Sequence, residues 1–204
     1  MKLAAMTKSY DQHYFNHWYR NSGHSLGRAA LIARKAALAV AMAEYYLGRR
    51  VSSVLDVGCG EGNWRAPLLK LRPKLDYRGI DSSEYAVAKY GRRRNLALVT
   101  FGQLEHVRFE APVDLLICSD VLHYVPSAEL NRGLSGFAEL CDGLAFVDLY
   151  CKGDAITGDL RGFQMRTASW YRKAFAKAGF TPCGSHGYLS RSLRAEATAL
   201  EVFP

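Results

Sequence analysis

The chain has 204 residues, of which 49% are hydrophobic and 23% charged, with a formal net charge of +8. These values fit one α/β domain with a sizeable core and exclude an intrinsically disordered chain. The longest apolar run, Ala36 to Ala43, falls far short of the roughly 20 residues that a bilayer-spanning helix needs.

The chain opens on an aromatic-rich segment, Tyr10-Asp-Gln-His-Tyr14-Phe-Asn-His-Trp18-Tyr-Arg20. Ser25 can cap a long helix from about Leu26 to Leu47 that Gly48 stops, with Leu31, Leu38, Met42 and Tyr45 on one face. Strands and helices then alternate. Val51–Val57 reads as a buried strand, Asn63–Leu71 as a helix closed by Pro73, and Tyr77–Asp81 as a second strand. A helix from Ser83 to Tyr90 and a strand over Leu96–Thr100 follow. Val113–Ser119 is the next strand, then come a helix over Ala128–Leu140 stopped by Asp142-Gly143 and a strand over Leu144–Leu149. Ala168–Ala178 reads as a helix with Gly179 behind it, and Phe180–His186 as a strand. In the tail, a helix from Ser190 through Glu201 carrying Leu193, Ala197 and Leu200 is preferred to an edge strand over Ala199–Phe203. This order implies a mostly parallel sheet with helices on both faces.

Chemistry concentrates at the end of the first strand, in Val54-Leu-Asp-Val-Gly-Cys-Gly-Glu-Gly-Asn-Trp64. Asp56 is followed by three glycines at alternate positions, Gly58, Gly60 and Gly62. Glycine supplies the left-handed angles of a tight strand-to-helix turn and lets a ligand approach the backbone. The spacing D-x-G-x-G-x-G differs from the G-x-G-x-x-G of dinucleotide sites. It resembles motif I of the class I S-adenosylmethionine-dependent methyltransferases, and the likeness extends over roughly residues 50 to 185.

That resemblance implies a Rossmann-like sheet of six or seven strands and a cofactor, S-adenosyl-L-methionine, leaving as S-adenosyl-L-homocysteine. It implies one domain over 1–204, with a helical leader over 1–48, the core over 49–188 and the tail over 189–204. Asp81, ending the second strand 19 positions after Gly62, is expected to hold the ribose hydroxyls, with Ser82 beside it; a helix-cap role is the alternative. Phe101-Gly102-Gln103 is expected at the adenine, Phe101 stacking and the Gln103 oxygen accepting from the amino group. Asp56 and Cys59 are expected near the methionyl part, and Ser119 supplies a backbone contact. Tyr14 belongs to a leader that in similar small-molecule enzymes covers the cofactor, although it could simply cover the sheet.

The segment Ile117-Cys-Ser-Asp120-Val-Leu-His123-Tyr124 resembles the loop of small-molecule O- and N-methyltransferases, not the Asn/Asp-Pro-Pro-Tyr motif of amino-methylating enzymes. His123 titrates near neutrality when unperturbed and suits a general base, with Asp120 orienting a partner; a structural histidine is the alternative. Tyr124, Asp148, Arg161 and Arg166 are candidate acceptor contacts, the two arginines pairing with an anion or lying on the surface. His13 and His17 stand four apart, but no third ligand lies nearby, so no metal is expected. Five cysteines without a C-x-x-C pair argue against disulfides or zinc, and Met1–Lys8 lacks the apolar core of a signal peptide, so a cytoplasmic protein is expected.

The reading is an enzyme that methylates a small molecule on oxygen or nitrogen by in-line displacement. RNA or nucleotide methylation, suggested by the net charge and Arg92–Arg94, is the less favoured alternative. A non-catalytic cofactor-binding regulator is another, and an NAD-linked oxidoreductase comes last because its glycine spacing is absent. No membrane association is expected, and the sequence leaves the oligomeric state open.

Overall fold

In the computed structural model, which describes residues 8–21, 25–156 and 159–203, the strands form one sheet. They are β1 (Ser53–Val57), β2 (Asp76–Asp81), β3 (Leu96–Leu98), β4 (Val113–Ser119), β5 (Cys141–Asp148), β6 (Thr181–Gly184) and β7 (Gly187–Leu189). Their order is β3-β2-β1-β4-β5-β7-β6. β1 to β5 pair in parallel, whereas β7 runs antiparallel to both β5 and β6.

Alternate residues of the central strands feed two cores, as the pleat requires. Leu55, Leu116, Ala145 and Val147 face Phe137, Phe175 and Phe180 on one side. Val54, Leu115, Ile117 and Phe146 face Ala36, Ala39, Val40, Ala43 and Leu68 on the other. The helices that close these faces are α2 (Ser25–Leu47) and α3 (Arg65–Leu71) on the second, and α5 (Ser127–Ser135), α6 (Phe137–Leu140) and α7 (Ala168–Lys177) on the first. α4 (Glu84–Arg94) packs beside β2 and β3. Before them come α1 (Gln12–Phe15) and a π-helical turn over Asn16–Asn21; a short α8 (Arg191–Arg194) ends the order.

Several sequence expectations need correction. α2 buries its alanine-rich face, while Leu31, Leu38 and Tyr45 are exposed, Tyr45 to 69%. Small side chains let the helix settle close to the sheet, so size misled the choice of face. The capping side chain expected of Ser25 and the leader residues 1–7 and 22–24 lie outside the described residues.

The helix expected over Ala128–Leu140 breaks at Gly136, where a Cβ would lie 2.1 Å from the Leu104 carbonyl oxygen. Asp142-Gly143, expected to stop that helix, lies inside β5. There the β4–β5 register shifts, and a Cβ on Gly143 would come within 1.8 Å of the Asp114 carbonyl oxygen.

The strand expected over Phe180–His186 is β6 plus a turn. Ser185 and His186 both take left-handed angles, φ 47° and 69°, the geometry of a tight hairpin. Without the Asn-Gly signal usual for it, the turn and β7 went unread. The tail is helical only over Arg191–Arg194, and neither the helix through Glu201 nor the edge strand over Ala199–Phe203 forms. Phe203 N–H donates to the Pro182 carbonyl at 3.0 Å and ties the tail to β6. Among the described residues no helix is long and apolar enough to cross a membrane.

Candidate functional site

At the end of β1 the chain turns through Gly58, Gly60 and Gly62 with φ of 69°, 54° and 76°. The N–H groups of Gly58 and Cys59 both donate to the Ile80 carbonyl, at 2.8 and 3.0 Å, folding the turn onto the end of β2. Asp81 locks it there, accepting from Gly60 N–H at 2.7 Å and Ser83 N–H at 2.8 Å. A Cβ on Gly58 would lie 2.3 Å from Val121 Cγ2, so this glycine is demanded by packing against the segment after β4. A Cβ on Gly60 would instead meet Phe15 and Tyr19 of the leader, at 3.2 Å each.

The turn opens on a cavity of about 1350 Å³ beyond the carboxyl ends of β1, β2 and β4. In open sheets of this kind, ligands bind where the strand order reverses, here between β1 and β4. Gly58, Cys59, Gly60, Asp81, Ser82 and Phe101 form one wall, and Ser119, Asp120, His123 and Tyr124 the facing one. The leader contributes Tyr14 and Phe15 as cover.

The leader is fastened at three points. Arg20 Nη2 donates to Glu61 Oε1 at 2.7 Å and to the Tyr90 hydroxyl at 3.2 Å. Ser83 Oγ donates to the Tyr10 carbonyl at 2.5 Å, and Lys8 Nζ lies 2.7 Å from Asp159 Oδ2. Phe15 is buried, its ring 5.0 Å from that of Tyr19 and 5.7 Å from that of Tyr85.

Some expected residues stand behind the wall. Asp56 is buried and accepts from the Tyr77 hydroxyl at 2.7 Å. Burial pushes its carboxyl up to about 7; the Tyr77 bond opposes this, and the charge of Asp81 adds to it. The face of Gly62 turns to Leu96 and Arg94. The adenine expectation is corrected: Gln103 Oε1 accepts from Thr100 N–H at 2.8 Å in a capping box, and Gly102 lies under Glu129 and Arg132. Thr100 and Phe101 reach the cavity instead.

On the facing side, Asp120 adopts φ 61° and is exposed to the cavity that it lines. Lost hydration, and then Asp148, raises its carboxyl, while Lys35 and Arg28 pull the other way. His123 is 1% exposed, with its ring stacked on Phe163 at 5.0 Å. Its Nδ1 accepts from Tyr150 N–H at 3.4 Å, which leaves the proton of the neutral ring on Nε2. Burial, followed by the charge of Lys8, pushes its pKa down to about 4. A base poised near neutrality is therefore not what the fold makes of His123; it is a neutral donor.

Asp148 sits behind Ser119, whose Oγ donates to it at 2.8 Å, and pairs with Lys35. Although burial pushes its carboxyl upward, those partners hold it below the usual range. Arg161 is exposed and lies off the wall. Arg166 is not a surface arginine. It is buried and donates to the carbonyls of Leu122 at 3.1 Å and Val125 at 2.7 Å and to Ser127 Oγ at 3.0 Å. It thereby fixes the loop that carries His123 and Tyr124.

Lys8, Arg28, Lys35 and Asp159 also line the cavity. No local pattern marks Lys8 and Lys35, whose carboxylate partners, Asp159 and Asp148, lie far along the chain. Among the described residues no group of three potential ligands is placed to hold a metal.

Residues 55–142 match the model of a methyltransferase domain family. Trans-aconitate 2-methyltransferase of Pseudomonas paraeruginosa is 28% identical over 137 residues, which cover 65% of this chain and 45% of that protein. The chain thus spans about half the length of this curated relative. DesVI of Streptomyces venezuelae shares the fold with a TM-score of 0.65 at 16% identity, over 81% of this chain and 94% of its own. The sugar N-methyltransferase KedS8 of a Streptoalloteichus species gives 0.63 at 18% identity, over 92% and 91%. Magnesium protoporphyrin IX methyltransferase of Synechocystis, solved with S-adenosylmethionine, gives 0.59 at 20% identity, over 88% and 89%. The matched residues begin at the glycine turn, and the solved structures share the fold of the sheet.

Proposed function

We propose that this chain binds S-adenosylmethionine and moves its methyl group to an oxygen or nitrogen of a small-molecule acceptor by in-line displacement. The observation that carries the reading is the left-handed glycine turn, locked by Asp81, opening on a cavity whose far wall holds Asp120, His123 and Tyr124. The chain's residues fit such a cofactor. Gly60, Ser83 and Ser82 N–H groups use part of the acceptor capacity of Asp81, and the remainder can accept from a ribose hydroxyl. Phe101 offers a ring to the base, and the backbone at Gly60 admits close approach.

The bound cofactor supplies a methyl group already activated on sulfur. The protein's part is alignment and the exclusion of water, because the transition state disperses charge instead of creating it. In this reading the leader is the cover that excludes water, and leader, core and tail over 1–204 act as one unit. Asp120, with its raised carboxyl, takes up the proton of the acceptor, and the neutral His123 orients it through Nε2–H. The relatives named for trans-aconitate and for a sugar favour a small acceptor over nucleic acid. So does the use of Arg94 within the fold, where it donates to the Glu61 carbonyl and covers the Tyr90 ring.

Calorimetric titration with S-adenosylmethionine, S-adenosylhomocysteine and NAD tests this directly. Micromolar binding of the two sulfur compounds but not NAD is expected, and binding of neither would end the reading. Gly60→Val, which places a branched side chain at φ 54° against Phe15 and Tyr19, is expected to cut S-adenosylhomocysteine affinity at least a hundredfold.

A further inference from the structure

The ammonium of Lys8 is held where a lysine gains little. Its side chain is 11% exposed, and Asp159 beside it 16%. Around it stand three tyrosine rings, with Tyr124 at 3.5 Å from nitrogen to centroid, Tyr14 at 5.2 Å and Tyr10 at 5.3 Å. Nζ makes no well-directed hydrogen bond, so its N–H groups face π-clouds and the Asp159 charge. Burial lowers the pKa of Lys8 by more than Asp159 restores.

The receptor around it is well built. The Tyr124 hydroxyl donates to the Asp159 carbonyl at 2.7 Å, and Asp159 Oδ1 accepts from Arg161 N–H at 2.9 Å. Tyr10 and Tyr14 pack edge to face at 5.0 Å. Tyr10, Tyr14, Tyr124 and Asp159 all line the cavity onto which the glycine turn opens. Electron-rich faces closed by one carboxylate are the chemistry that recognises an alkylammonium ion. A carboxylate-bearing acceptor fits worse, because Asp159 already neutralises Lys8 and would repel a second anion.

We propose that the cage of Tyr10, Tyr14, Tyr124 and Asp159 is the acceptor's ammonium subsite, and that Lys8 Nζ keeps its place in the free protein. The inference rests on the methyltransferase reading above and adds the acceptor class: a small amine whose cationic nitrogen displaces Lys8.

The test titrates the full chain with n-butylammonium and, separately, butyrate, with and without S-adenosylhomocysteine. Butylammonium binding is expected, with butyrate much weaker. Asp159→Asn should weaken the amine about tenfold, and Tyr124→Leu should do so by a similar factor. Lys8→Ala should tighten it severalfold by removing the internal competitor. S-adenosylhomocysteine affinity should stay within twofold in all three variants. A preference for butyrate, or weaker amine binding in Lys8→Ala, overturns the proposal. If the cofactor product fails to bind the parent protein, the methyltransferase reading falls. The titrations without it still decide the cage on their own.

Discussion

Asp56 and His123 have both lost their hydration, and the loss acts on them with opposite sign. Asp56 is pushed up to about 7 from 3.8, so between those values the folded chain keeps a proton that the unfolded chain has released. Its contribution to stability is complete below about pH 4 and fades as pH rises toward 7. His123 is pushed down to about 4 from 6.5, so the unfolded chain protonates first. Stability from this residue is complete above about 6.5 and fades as pH falls toward 4. Thermal melts should therefore show Asp56→Asn gaining on the parent as pH rises from 4 to 8, and His123→Gln gaining as pH falls. A difference from the parent that is flat with pH, in either variant, would contradict the corresponding shift. Asp81 offers a third check: Asp81→Ala should weaken S-adenosylhomocysteine ten- to a hundredfold in calorimetry. That corresponds to the roughly 1.5–3 kcal/mol of hydrogen bonds to a charged group. At this scale the sequence was readable where partners are near in the chain. Gly58, Gly60 and Asp81 declare themselves by spacing. Lys8 and Arg166 carry no such mark, because Asp159 in the one case and the Leu122 and Val125 carbonyls in the other lie far along the chain.

Arg166 shows how one element can be held by a residue from another. It joins the stretch before α7 to the loop between β4 and α5, satisfying two buried carbonyls at once. Arg166→Met should leave them without donors and cost about 3 kcal/mol in denaturant unfolding. If the variant folds, its acceptor KM should rise while cofactor affinity holds, since the loop it steadies carries the acceptor wall. An unchanged KM would reduce Arg166 to a core residue. Elements with strong periodicity or clear caps were legible: β4 matches the sequence reading residue for residue, and α4 starts behind the Ser83 cap. The β6–β7 hairpin was not, because its turn uses Ser185 and His186 in angles that glycine or asparagine normally announce.

Across the whole molecule, the leader is joined to the core where the cofactor is proposed to lie. Arg20 reaches Glu61 inside the glycine turn and Tyr90 on α4. Because Arg20 is partly exposed, the pair adds at most about 1 kcal/mol to overall stability. Its effect should instead appear in rates: Arg20→Ala should speed S-adenosylhomocysteine dissociation severalfold in stopped-flow with little change in Tm. Equal rates would detach this contact from ligand exchange.

Arg20 reaches its partner by way of the π-helical turn over Asn16–Asn21. Such a turn accommodates one residue more than an α-helical turn, and each residue in a helix turns the chain by about 100°. The direction in which Arg20 points is thus set by a count of residues as much as by their kinds. Deleting His17 would change that count by one, keep every Tyr, Phe and Trp ring of the leader, and alter the path by which the guanidinium reaches the glycine turn. The register of the leader behaves like the bitting of a key, in which one notch too few leaves the metal sound and the lock shut.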